Sequence, residues 1–112
     1  MKIYHNPRCR KSRETLGLIE QAGIEPEIVL YLENPPTVTE LNELIRLLGI
    51  SAADLVRRGE AVWKERYKGK QLSDEEIIVA MTENTKLIER PIVVKDGQAI
   101  LGRPPENVEV FL

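Results

Sequence analysis

The residues best suited to chemistry fall in one short run, Tyr4-His-Asn-Pro-Arg-Cys-Arg-Lys-Ser-Arg-Glu-Thr-Leu16. It holds the only cysteine, Cys9, and the only histidine, His5. Arg8, Arg10, Lys11 and Arg13 surround them, and no acid precedes Glu14. A thiol attacks as thiolate, and a free cysteine with a pKa of about 8.5 is mostly protonated at neutral pH. Four cationic neighbours and a helix N-terminus would both favour the anion. The unpaired N–H groups of that helix end would bind an incoming oxyanion as well. A lone cysteine is often just a small buried hydrophobe. Charged neighbours and the backbone break at Pro7 argue instead for a reactive thiol. His5 either orients and helps deprotonate Cys9 or ends a strand with a satisfied hydrogen bond.

Cys9-Arg-Lys-Ser12 is a Cys-x-x-Ser. Ser12 cannot close a disulfide, but it can donate to the thiolate or cap the helix. A phosphatase loop needs an arginine six positions after its cysteine; Thr15 stands there, so that reading fails. Arg57 at a helix end, Arg90 before Pro91 and Arg103 before Pro104 are candidates for a guanidinium clamp on a tetrahedral oxyanion. Arg58 reads as a solvated neighbour. Trp63, among charges, reads as a packing residue over a long loop, with a substrate contact as the alternative.

These groups need a scaffold, and the pattern supplies one. Lys2 to His5 reads as a strand, and a helix opens close to Ser12, with Leu16, Ile19 and Ala22 in helical period, closing at Gly23 before Pro26. Glu27 to Leu32 reads as a buried strand, ended by Asn34-Pro35-Pro36. Strand, helix and strand at this spacing make a βαβ unit with parallel strands. Thr37 with Glu40, Ser51 with Asp54 and Ser73 with Glu76 are capping-box signatures for three helices. Residues 59 to 70 show only weak periodicity. Asp96-Gly97 joins two apolar runs, Pro91 to Lys95 and Gln98 to Leu101, as a hairpin. A last short helix is expected after Gly102-Arg103-Pro104-Pro105. This order is thioredoxin-like: an α/β fold with a mixed four-stranded sheet, helices on both faces and a helical insert at about residues 37–82. A proline, usually cis, begins the strand beside the active loop in that architecture, and Pro91 is the candidate.

Composition bounds the function. With 112 residues the chain forms one domain, and 42% apolar with 30% charged residues suits a soluble globular protein. A net charge of −2 gives no general reason to bind nucleic acid or an anionic membrane. No apolar run approaches the length of a membrane span, and Met1-Lys2-Ile3 leads into a strand rather than a signal peptide. One cysteine allows no internal disulfide, which fits the reducing cytoplasm. It also means that any redox cycle through Cys9 draws its second thiol from outside.

The runs His5-Asn-Pro-Arg-Cys9-Arg-Lys-Ser12-Arg13-Glu-Thr-Leu16, Leu30-Tyr-Leu-Glu-Asn-Pro-Pro36, Ile88-Glu-Arg90-Pro-Ile-Val-Val94 and Leu101-Gly-Arg103-Pro resemble the glutaredoxin-coupled arsenate reductase family, or a branch close to it named by homology. The resemblance runs nearly end to end. It implies that Cys9 attacks arsenate, that Arg57, Arg90 and Arg103 hold the oxyanion and its adduct, and that His5 and Ser12 tune the thiolate with Arg13 nearby. It also implies glutathione as co-substrate, glutaredoxin as second donor, no resident cofactor or metal, and a monomer in the cytoplasm. Arg8, Arg10 and Lys11 depart from the small residues that established arsenate reductases carry there, and those enzymes run on with a longer C-terminal tail. Two alternatives stand beside this reading. One is a glutathione-dependent oxidoreductase acting on another substrate. The other is a redox regulator of the same fold that binds RNA polymerase, against which Ser12 counts because such regulators use Cys-x-x-Cys.

Overall fold

Short strands with small apolar cores set the frame. The computed structural model describes all residues, 1–112, which form two compact units: residues 1–34 with 90–112, and residues 35–89. In the first unit, β1 (Lys2–Tyr4) lies between β2 (Glu27–Val29) and β3 (Ile92–Lys95), and β4 (Gln98–Leu101) closes the order β2-β1-β3-β4. β1 pairs parallel to β2, with Ile3 opposite Ile28, and antiparallel to β3, with Ile3 opposite Val93. The parallel pair is the expected βαβ unit, with α1 (Arg10–Gln21) as its crossover. Asp96 and Gly97 both have positive φ, at 47° and 75°, as a two-residue turn of that hand requires. The sheet is therefore mixed, and the fold is thioredoxin-like.

Ile3 and Val93 turn one sheet face toward Ile19 of α1 and toward Val108 and Phe111 of the terminal 3₁₀ helix (Pro105–Phe111). These five side chains are the buried centre of this unit. Lys95 Nζ donates to the Phe111 carbonyl at 2.8 Å and ties the last turn to β3. α1 ends at Ala22, with Gly23 at φ 80°, the left-handed residue expected past a helix C-terminus.

The strand expected over Glu27 to Leu32 is shorter and less buried than its apolar run suggests. β2 is an edge strand, where one row of backbone groups has no neighbour, and Ile28 is 45% exposed. After Val29 the chain turns: the Leu30 carbonyl accepts from the N–H groups of Glu33 and Asn34. That turn buries Tyr31 and leaves Leu32 and Glu33 exposed.

The second unit holds α2 (Val38–Leu48), α3 (Ala52–Leu55), α4 (Ala61–Arg66) and α5 (Asp74–Glu83). All three capping boxes form with both hydrogen bonds present: Thr37 with Glu40, Ser51 with Asp54, and Ser73 with Glu76. α2 stops at Gly49, which takes the left-handed conformation at φ 69°. The 59–70 stretch contains α4, which pattern alone did not show; six residues are too few for a helical period to emerge. Trp63 on α4 is buried, its ring centroid 5.3 Å from that of Tyr67, and Asn84 Nδ2 donates to the Tyr67 hydroxyl at 3.1 Å. Trp63 is thus a packing residue, on a helix rather than a loop. No helix is long and apolar enough to cross a membrane.

Candidate active site

Cys9 is the residue from which α1 starts. Its φ and ψ of −94° and 121° are extended, and its carbonyl accepts the first helical bond from Arg13 N–H at 3.0 Å. No side chain caps this helix end. An N-terminus without a cap leaves backbone N–H groups that favour an anion, and here the group in front of them is the sulfur of Cys9 itself. Burial pushes the thiol pKa up. The N–H of Ser12, the Arg90 guanidinium by hydrogen bond and charge, and the N–H of Lys11 together outweigh it, so the pKa sits below its ordinary value. Arg103 Nη1 lies 3.9 Å from Cys9 Sγ and donates to the Arg90 carbonyl at 3.3 Å. Two guanidinium-bearing turns thus meet at the half-buried thiol, one before β3 and one after β4.

Both turns carry a cis peptide bond, Arg90–Pro91 and Arg103–Pro104. The first is the proline anticipated from the fold; the second was not. The turns are held together at Gly102, whose N–H donates to the Pro91 carbonyl at 2.9 Å. A Cβ at Gly102 would lie 2.5 Å from Thr15 Oγ1 and 2.7 Å from Pro91 Cγ, closer than atoms can pack, so only glycine fits there. Thr15 is fully buried; its hydroxyl lies 2.8 Å from the Lys11 carbonyl and 3.4 Å from that of Gly102. The position that excluded a phosphatase arginine therefore links the first turn of α1 to the arginine turns.

His5 and Ser12 form a buried pair, with His5 Nδ1 2.7 Å from Ser12 Oγ. The same hydroxyl accepts from Asn6 N–H at 3.0 Å. Of the two roles open to Ser12, its side chain takes neither: it neither caps α1 nor bonds to Sγ. Ser12 reaches the sulfur through its main chain instead. Burial, followed by the charge of Arg13, pushes the His5 pKa down, with Glu20 opposing weakly. His5 is accordingly a neutral imidazole at neutral pH, and the buried hydrogen-bonded pair locks the loop. Arg13 Nη1 donates to the Pro7 carbonyl at 2.9 Å, so its guanidinium braces the loop from outside.

Asn6 was not singled out from the sequence. It is buried, its carbonyl accepts Cys9 N–H at 3.0 Å, and its Oδ1 accepts Arg8 N–H at 2.9 Å. The available signal was the Asn-Pro dipeptide, which favours a turn closed by the asparagine side chain. Arg57 belongs to the second unit, with its Nε 3.6 Å from Glu60 Oε1 and its Nη1 3.8 Å from Glu89 Oε1. Its N–H donates to the Leu87 carbonyl at 2.7 Å, beside the bridge between Val56 and Ile88. No cluster of three His, Cys, Asp or Glu side chains suited to a metal ion occurs in the chain.

Known proteins resemble this chain along nearly its whole length. YfgD of Escherichia coli (strain K12), described as uncharacterized, is 54% identical over 110 residues, covering 96% of this chain and 92% of its own. An arsenate reductase of Haemophilus influenzae is 47% identical over 111 residues, covering 95% and 93%. Among solved structures, an arsenate reductase from Vibrio cholerae superposes with a TM-score of 0.95 at 51% identity, covering 99% of this chain and 96% of that one. The ArsC family model matches residues 4–111, a span that takes in the Cys9 loop, both arginine turns and the hairpin between them, and the chain belongs to the ArsC family.

Proposed function

We propose that the protein is an arsenate reductase in which the Cys9 thiolate attacks arsenic, with glutathione and glutaredoxin as external thiol donors. The observation that carries this reading is a thiol of lowered pKa at the start of a helix, with the Arg90 and Arg103 guanidinium groups beside it. Arsenate relatives named for this activity support the substrate. Cys9 Sγ forms a bond to As(V) as an oxygen leaves as water, and Arg90 and Arg103 offset the negative charge of the adduct. Arg57 keeps its place in the clamp from the family pattern alone. His5, Ser12 and Arg13 act as positioning residues that hold the loop in the geometry favouring the thiolate.

The electron balance requires two external thiols. Glutathione adds its sulfur to the arsenic, and glutaredoxin then takes that glutathione as a mixed disulfide. The two sulfurs give up two electrons, As(V) becomes As(III), and hydrolysis releases arsenite and regenerates Cys9. Such a cycle belongs in a reducing compartment, the cytoplasm.

The test is NADPH consumption coupled through glutathione reductase, glutathione and glutaredoxin, with arsenate added last. Arsenate-dependent turnover that disappears in Cys9→Ser is the expected result. A reactive Cys9 without arsenate-dependent turnover would overturn the substrate and direct the search to glutathionylated proteins.

A further inference from the structure

The second unit carries a cavity that the chemistry at Cys9 leaves unused. A groove of about 360 Å3 is lined entirely by residues of this unit, from the loop after α3, from α4 and the turn that follows it, and from α5. That volume is within the range of small-ligand sites, about 300–1,000 Å3. Its charged lining is Arg58, Lys68 and Lys70, with no acid among them. None of the three forms an ion pair, although the chain holds 18 acids to 16 lysines and arginines. A single surface lysine is ordinarily just solvated, but these cations are presented from fixed backbone. Arg58 sets its guanidinium carbon 5.9 Å from the centre of the buried Trp63 ring. The Lys68 N–H donates to the Trp63 carbonyl at 2.9 Å and the Lys70 N–H to the Tyr67 carbonyl at 3.1 Å, while Asn84 holds the Tyr67 hydroxyl. Between the two lysines Gly69 turns the chain at φ 83°, and its own N–H has no acceptor in the chain.

We infer that this groove is a second anion site, formed without any residue of the Cys9 loop, and that it takes a diphosphate group, either free or as the tail of a small organic phosphate. A carboxylate offers one charge to three cations. A terminal phosphoryl group carries about 1.5 to 2 negative charges at neutral pH, so two joined groups match the three. Lysine binds phosphate as a point charge, and an unpaired N–H in a turn such as that of Gly69 is a further donor to an anion. Leu72 and Ile77 add an apolar wall against which an organic portion can lie. Tyr67, Lys70 and Leu72 also line an adjoining groove that carries Glu75, Glu76 and Glu83. Those carboxylates repel an anion and confine it to the basic side.

Trp63 is the only tryptophan, so its fluorescence reports on the groove directly. Titration of the full chain with pyrophosphate at fixed ionic strength should give a saturable change in that emission. In ¹⁵N-labelled protein it should shift the amides of Lys68, Gly69 and Lys70. Lys68→Gln and Lys70→Gln should each raise the dissociation constant roughly fivefold, the upper end of what one exposed ion pair contributes. Lys64→Gln removes the same charge from an exposed position on α4 that does not line the groove, and should leave binding unchanged. Adenosine diphosphate separates the two sources. Tighter binding than pyrophosphate, with added shifts at Leu72 and Ile77, assigns the site to an organic phosphate; equal or weaker binding assigns it to the free diphosphate. No saturation with either probe, or shifts confined to residues 8–13, would overturn the proposal. So would citrate binding as tightly as pyrophosphate, or an equal loss in Lys64→Gln and Lys68→Gln, which would mark a general attraction to positive charge. No readout involves turnover at Cys9, so the result stands apart from the arsenate reading.

Discussion

The Cys9 thiol pKa is lowered by main-chain N–H groups and one neighbouring guanidinium, which together overcome a burial that works against the thiolate. The consequence is a shift in pH dependence. Alkylation by iodoacetamide should rise with pH through a midpoint below that of an ordinary cysteine. Arg90→Ala removes both a hydrogen bond and a charge, and should move that midpoint up and raise the KM for the oxyanion; Arg58→Ala, whose guanidinium lies over the Trp63 ring, should do neither. Equal effects from the two would remove the clamp. His5 gives the opposite kind of dependence. Its folded pKa is below the ordinary 6.5, so the unfolded chain binds a proton first as the solution is acidified. Stability contributed by neutral His5 is therefore intact above 6.5 and is lost as pH falls from there toward the folded value. Urea unfolding at stepped pH should show this loss, and His5→Asn should flatten that part of the profile from a lower starting stability.

The elements that hold these residues depend on close approach at one point. Gly102 brings the Arg103 turn against Pro91 and Thr15, and a methyl group there would meet backbone-anchored side chains at under 3 Å. Gly102→Ala should cost about 1–3 kcal/mol, as overpacking does, and should displace Arg103 from the thiol. The combination to look for is a lower melting temperature together with a raised Cys9 pKa. Ser73→Ala breaks one capping box in the other unit and should cost about 1 kcal/mol without touching the Cys9 titration. These elements also show what could be read from sequence. The capping boxes, the Asp96-Gly97 hairpin and the helix opening at the cysteine are encoded within a few residues each. The edge position of β2, the short helix α4, the cis bond before Pro104 and the Gly102–Thr15 contact depend on distant partners. Thr15 and Gly102 stand 87 residues apart, and no local pattern joins them. For the same reason Ser12 was understood only half-way: its spacing from Cys9 is local, but its hydroxyl is claimed by His5 and Asn6.

At the scale of the whole molecule, the decisive fact is one cysteine in 112 residues. The cluster of Arg8, Arg10, Lys11 and Arg13 makes the Cys9 loop positive while the chain as a whole carries a net −2, so the favourable field is short-ranged. The same chain holds no second thiol. A protein with a resolving cysteine could pass through one turnover on its own thiols; under the proposed mechanism this one would stop at the adduct on Cys9. Rapid mixing with arsenate in the absence of other thiols should therefore yield no more than one arsenic bound per chain, no arsenite, and no disulfide-linked dimer. Added glutathione alone should carry the adduct forward without closing the cycle, and steady turnover should begin only when glutaredoxin is added as well. Arsenite formed from the protein alone would show that electrons come from somewhere other than external thiols, and the mechanism built on Cys9 would have to be abandoned.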